Sequence, residues 1–130
     1  MYTGIAERDE PKPLRWIGSS REDLKTFPAE VRRELGYALY AAQMGETDPA
    51  AKPMKGFGGA RVIEIVAPFR GNTWRAVYTV RFRSTIYVLH TFQKKSKSGV
   101  ATPKNEIRLV QRRLADAARD FEERQSRDDD

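Results

Sequence analysis

Residues 74–93 read WRAVYTVRFRSTIYVLHTFQ, and their reading decides the fold. From Trp74 to Arg83 the residue types alternate with period two. Trp74, Ala76, Tyr78, Val80 and Phe82 share one face of a strand, and Arg75, Val77, Thr79, Arg81 and Arg83 share the other. Ser84-Thr85 is a tight connection, and Ile86–Gln93 is a last, more apolar strand. Just upstream, Val62–Ala67 has the composition of a buried strand, with Phe69–Thr73 as its turn. Three successive strands with short links predict an antiparallel meander.

Toward the N-terminus, residues 1–13 are polar with two prolines and read as a flexible tail. Leu14–Ile17 has the pattern of a short strand. Ser20 followed by Asp23 resembles a capping box that starts a short helix through Lys25. Thr26-Phe27-Pro28 starts a second helix, with Pro28 suited to a first turn. Its inward stripe is Val31, Leu35, Ala38, Leu39 and Ala42, and Gly45 is its stop. Residues 46–60, rich in Gly and Pro, read as a loop.

Beyond the last strand comes a basic, glycine-punctuated loop with Lys94, Lys95 and Lys97. Thr102 as N-cap and Pro103 then open a helix to about Glu123, with the stripe Ile107, Val110, Leu114, Ala117 and Phe121. Arg108, Arg112 and Arg113 point largely away from that stripe. Residues 124–130 read as a disordered acidic tail. The expectation is one α+β domain over residues 14–123: a small antiparallel sheet of about four strands, two N-terminal helices and a C-terminal helix.

The net charge of +6 conceals a segregation. Between Lys52 and Arg113 there are fourteen Lys and Arg against two acids, Glu64 and Glu106, whereas the rest of the chain is net acidic. Segregated positive charge concentrates anionic partners. There is no cysteine and one histidine, a poor supply of zinc ligands. No apolar run approaches the roughly 18 residues that span a bilayer, and Met1–Pro13 lacks the apolar core of a signal peptide. The expected location is the cytoplasm, with no membrane partner.

Arg75, Lys94 and Lys95 lie on adjacent strands or at their exit and could converge on one phosphate. The start of the following helix would add its own free amides. His90 shares parity with Ile86, Val88 and Phe92, so a core histidine and a catalytic one both fit. Glu64 fits pairing with a nearby arginine better than a general-base role. Simple alternation puts Lys95 in series with Tyr87, Leu89, Thr91 and Gln93, and Lys94 with the series of Ile86, Val88, His90 and Phe92. Gly56-Phe57-Gly58-Gly59 is no phosphate-binding P-loop, since it lacks the Gly-Lys-Ser/Thr ending.

The segments KPLRWIGSSREDLKTFPAEVRRELGYAL, KPMKGFGGARVIEI, WRAVYTVRF and YVLHTFQKKSKSGVATPKNEI, over roughly residues 12–115, resemble the phage-derived HigB-like toxins of the RelE/ParE superfamily. The resemblance implies the small sheet and three helices already read. It also implies ribosome-dependent mRNA cleavage with no cofactor or metal, in which the RNA 2′-hydroxyl attacks and cations stabilise the transition state. Arg75 corresponds to the arginine of the family's aromatic-Arg-x-x-Tyr strand. Lys95, or Lys94, corresponds to the basic residue ending the last strand. Two departures stand out. Ser96-Lys97-Ser98-Gly99 supplies no aromatic after that position, and Val62–Ile65 offers Glu64 where RelE has lysines.

On this reading Arg75, Lys95, Lys94, His90 and Glu64 are the catalytic candidates. Lys52, Lys55, Arg61, Arg81, Lys97 and Arg112 are the further RNA contacts. The implied partners are a cognate helix-turn-helix antitoxin, the ribosome and mRNA, with operator DNA met only through the antitoxin. Two other functions compete: a ParE-like inhibitor of a protein such as gyrase, and a catalytically silent nucleic-acid-binding regulator.

Overall fold

A computed structural model describes residues 10–94 and 102–129, and among these residues are five strands, three α-helices and a short 3-10 turn at Gly58–Ala60. In chain order the strands and α-helices are β1 (Leu14–Trp16), α1 (Ser20–Lys25), α2 (Ala29–Gln43), β2 (Ala51–Pro53), β3 (Val62–Phe69), β4 (Asn72–Thr79), β5 (Ile86–Lys94) and α3 (Lys104–Asp129). The strands form one sheet in the order β1-β5-β4-β3-β2. The α+β architecture with two N-terminal helices and a C-terminal helix is as expected.

The sheet itself differs from the expected antiparallel sheet of about four strands. It has five strands and is mixed, because β1 pairs in parallel with β5, Leu14 opposite Ile86 and Trp16 opposite Val88. A strand whose only partner follows some seventy residues later carries no mark of its direction in its own residues. The fifth strand, β2, lies inside the expected loop at residues 46–60 and pairs with β3, Lys52 opposite Glu64. Three residues are too few to show a period.

The β3–β4 hairpin turns on Arg70 and Gly71, with φ of 51° and 83°. Positive φ at both central residues matches the twist of the flanking strands, so both strands run closer to the turn than expected. β4 ends at Thr79, leaving Arg81 and Arg83 outside the strand rather than on an extended arginine face.

Both faces of the sheet are covered. On one, Val31, Leu35, Ala38, Leu39 and Ala42 of α2 pack with Ile65, Ala67, Ala76, Tyr78, Ile86 and Val88. On the other, Val110 and Ala117 of α3 pack with Val62, Val77, Tyr87, Leu89 and Phe92, joined by Leu114 and Phe121. In β5, second in sheet order but sandwiched between layers, every residue except Gln93 is buried.

Three helix starts are shifted from expectation, among them that of α3, which begins at Lys104 so that Pro103 rather than Thr102 immediately precedes it. Ser19 rather than Ser20 holds the N-cap position of α1, with no side-chain bond to the backbone of the first turn; its Oγ donates instead to Asp23 Oδ2 at 2.8 Å. Ser20 is buried, and its hydroxyl donates to the Val88 carbonyl. Pro28 precedes α2 in an extended conformation instead of entering its first turn. At the other end of the chain, α3 continues through Asp129, past the expected end near Glu123. Arg124 and Asp120, one turn apart at 2.8 Å, pair at the start of that extension.

One irregularity positions the site. Val77 pairs with His90 but Tyr78 pairs with Val88, so Leu89 is an extra residue in β5. This β-bulge reverses the alternation of side chains after Leu89. Ile86 and Val88 face α2, while His90, Phe92 and Lys94 face α3 together with Arg75 and Val77. The simple-alternation grouping of Lys94 is therefore right for His90 and Phe92 and wrong for Ile86 and Val88.

Candidate active site

Register builds the site on the α3 face. Arg75 is opposite Phe92 and Val66, Val77 is opposite His90 and Glu64, and Thr73 is opposite Lys94. Opposed residues in antiparallel strands point to the same side, so Glu64, Arg75, His90 and Lys94 belong to one surface of three adjacent strands. Lys95 and Lys97 lie outside the described residues.

Glu64 and Arg75 form the centre. Arg75 donates from Nη1 to Glu64 Oε1 at 2.9 Å, with 11% and 14% of the two side chains exposed. Pairing with an arginine was the favoured reading of Glu64. The other carboxylate oxygen accepts from Thr102 Oγ1 at 3.0 Å, just before α3. Arg75 Nε is buried without a hydrogen-bond partner among the described residues. Lys94 is 5% exposed. Burial lowers its pKa, and the neighbouring Arg75 guanidinium adds to that, opposed by Glu64.

His90 forms the second part, stacked on Phe92 at 4.7 Å between ring centroids. Its Nε2 faces Glu106 Oε1 at 3.3 Å. Its Nδ1 is 3.4 Å from Arg113 Nη1. Burial lowers the His90 pKa from its usual 6.5. Glu106 and Asp23 oppose that shift, while Arg113 adds to it. His90 is thus neutral at pH 7.

Arg113 is not turned away from the core, as its position on the helix suggested. It donates to the Leu89 carbonyl at 3.0 Å, within the bulge, and to Ser19 Oγ at 3.0 Å. Gly18, with φ of +58°, permits this approach: a Cβ there would lie 2.8 Å from Arg113 Nε. Arg113, Thr102 and Glu106 were all missed as site residues from the sequence. The one available signal was Glu106, one of only two acids in the basic half.

The remaining candidates do not join this cluster. Lys52 is exposed on edge strand β2, Lys55 is exposed in the turn after it, and Arg112 is exposed on α3. Arg61 is exposed with φ of 54°. Arg81 is exposed, with its guanidinium 5.7 Å from the Phe82 ring centre. Among the described residues no group of three His, Cys, Asp or Glu could hold a metal ion, and no helix is long and apolar enough to cross a membrane.

Fold and site together define an α+β protein whose mixed sheet, covered on both sides, carries a buried cluster of cations and carboxylates. The chain belongs to the family described as Phage derived protein Gp49-like (DUF891), whose model matches residues 22–115. That match includes Glu64, Arg75, His90, Lys94, Glu106 and Arg113. No curated protein matches. Among solved structures, the chain is similar to a double-mutant E. coli toxin RelE in the free state. The identity is 17%, over 63% of this chain and 82% of that one, with a TM-score of 0.48. It is also similar to the toxin–antitoxin complex RelBE2 from Mycobacterium tuberculosis. There the identity is 18%, over 68% of this chain and 97% of that one, with a TM-score of 0.44.

Proposed function

We propose that this chain is the toxin of a type II toxin–antitoxin pair, of the HigB/RelE kind. It would act in the cytoplasm as a metal-independent endoribonuclease that cleaves mRNA on the ribosome and is restrained by a helix-turn-helix antitoxin. The observation that carries the reading is unused donor capacity in the buried cluster. Arg75 Nε is enclosed without a hydrogen-bond partner among the described residues, and Lys94 lies on the same sheet face. A buried donor without an acceptor is costly, and an oxyanion seated beside it would relieve that cost.

In the proposed reaction the RNA 2′-hydroxyl gives up its proton and attacks the adjacent phosphorus. The bond to the 5′-oxygen breaks, that oxygen takes up a proton, and a 2′,3′-cyclic phosphate remains. Arg75 and Lys94 would stabilise the charge on the phosphoryl oxygens. Glu64 is the better proton acceptor, because Arg113 occupies the His90 Nδ1 lone pair. Substrate would reach Arg75 only by displacing Thr102 from Glu64, since the pair is almost covered.

The test is cleavage of a defined mRNA on programmed ribosomes. Wild-type protein should cut it, and Glu64→Gln and Arg75→Lys should each lower the single-turnover rate by about 10²-fold or more, as for loss of a transition-state donor or a general base. Absence of ribosome-dependent cutting by the folded wild type would overturn the reading. Inhibition of DNA supercoiling would then support the gyrase alternative, and neither activity would leave the silent regulator.

A further inference from the structure

On the opposite side of the sheet, a cleft of about 410 Å³ lies between the end of α2 and the adjoining ends of β3 and β4. Ile63, Tyr78 and Val80 contribute its apolar lining, and Lys12, Arg61 and Arg83 bring three cations to it. Glu46 is the one acid on its wall among the described residues. None of the three cationic side chains makes a hydrogen bond or ion pair among the described residues. Three like charges gathered around one concavity repel one another unless an anion joins them.

The turns that carry two of these cations are held in place. Arg61 sits at φ of 54°, a conformation unfavourable for a non-glycine residue, and its carbonyl accepts from Val80 N–H. Thr79, fully buried, donates from Oγ1 to the Ala60 carbonyl at 2.9 Å and accepts from Arg81 N–H at 3.1 Å. One hydroxyl thereby ties the turn before Arg61 to the segment leading to Arg83. A polyanion binding there would meet a backbone that is already ordered, and only the side chains of the cations would have to settle.

We propose that this cleft is a second RNA site, holding a backbone phosphate of the strand away from the cut. The proposal rests on the RNA-cleaving reading above and adds the path of the strand. β2 runs antiparallel to β3, with Met54 N–H on the Val62 carbonyl. Lys52 on the α3 face and Lys55 just beyond therefore continue positive charge around the β2 edge toward Arg61.

The test uses a 2′-O-methyl RNA oligonucleotide, which binds but cannot be cut, with fluorescence anisotropy measured across a salt series. Arg61→Asn with Arg83→Gln removes two cleft charges, and asparagine tolerates positive φ. Arg32→Gln with Arg33→Gln removes two charges from the exposed surface of α2, about 15 Å along the helix from Ala42. The cleft variant should bind about 10-fold more weakly, and its log-affinity against log-salt slope should fall by roughly 0.7 for each phosphate no longer neutralised. The α2 variant should keep the wild-type slope.

Equal changes in both variants, no change in the cleft variant, or no binding by wild type would each overturn the proposal. A deca-glutamate peptide is the second arm. If its binding responds to the cleft variant and that of RNA does not, the cleft recognises an acidic peptide and the RNA proposal fails. Failure of cleavage alongside the expected slope change would sink the catalytic reading and leave this site standing.

Discussion

Arg113 Nη1 lies 3.4 Å from His90 Nδ1, and that contact assigns the histidine's tautomer. A guanidinium has donors only, so Nδ1 presents its lone pair and the imidazole proton is on Nε2, on the side of Glu106. Protonating His90 would put a hydrogen where Arg113 already donates. The contact and burial therefore act in the same direction, against the charged form.

The pH dependence of stability follows in sign. The folded His90 pKa is below the usual 6.5, so the unfolded chain binds the proton more readily. The contribution of neutral His90 is fully present above about pH 6.5 and is lost as pH falls toward the folded value. Thermal unfolding of wild type should weaken over that interval more steeply than that of His90→Gln. Parallel profiles for the two proteins would contradict the assignment.

Arg75→Ala is expected to destabilise the fold as well as impair any activity. In the sequence Arg75 shares its strand face with Arg81 and Arg83, but in the fold its removal strands the nearly covered Glu64 carboxylate. Breaking such a pair costs about 3 kcal/mol. Urea unfolding should show that destabilisation for Arg75→Ala and a smaller one for the double variant Glu64→Gln/Arg75→Ala, in which no buried charge is left alone.

Gly18 and Arg113 should couple. Gly18→Ala combines positive φ with a Cβ 2.8 Å from the arginine, and should cost more than the roughly 1–2 kcal/mol of backbone strain alone. In an Arg113→Ala background the clash is absent, so the same substitution should cost only the backbone part. A double-mutant cycle read by chemical denaturation measures the difference. Additive effects would mean the glycine is kept for its backbone alone.

Lys94→Ala should reduce single-turnover cleavage by about 10-fold or more. The bulge at Leu89 brings Lys94 onto the Arg75 face. The assay on programmed ribosomes compares Lys94→Ala with Lys95→Ala, and near-wild-type cleavage by the first would remove Lys94 from the site.

The local elements were legible because their information is local. The α2 stripe of Val31, Leu35, Ala38, Leu39 and Ala42 is periodic, and all five residues are buried. The three strands of the meander show in alternation and short links, and Glu64 could be matched to a neighbouring arginine because the region holds so few acids. Other features left weaker marks: β2 is too short to show a period, and β1 takes its direction from a partner seventy residues away. The reach of α3 to Asp129 is supported by side-chain pairs that polarity alone disguises as a tail.

By itself, the sequence determined the α+β class, the segregation of charge, the helix stripes and the positions of Arg75 and Glu64 on successive strands. Only the tertiary structure decided which side chains share the site. One extra residue in β5 reverses side-chain parity, and a period-two pattern cannot reveal it, because the bulge exists only in the pairing of β5 with β4. Packing of α3 across the resulting surface then brought Thr102, Glu106 and Arg113 to groups far from them in sequence. Their partners were set by the hydrogen-bonding needs of buried carbonyl, imidazole and carboxylate groups, which no spacing along the chain encodes.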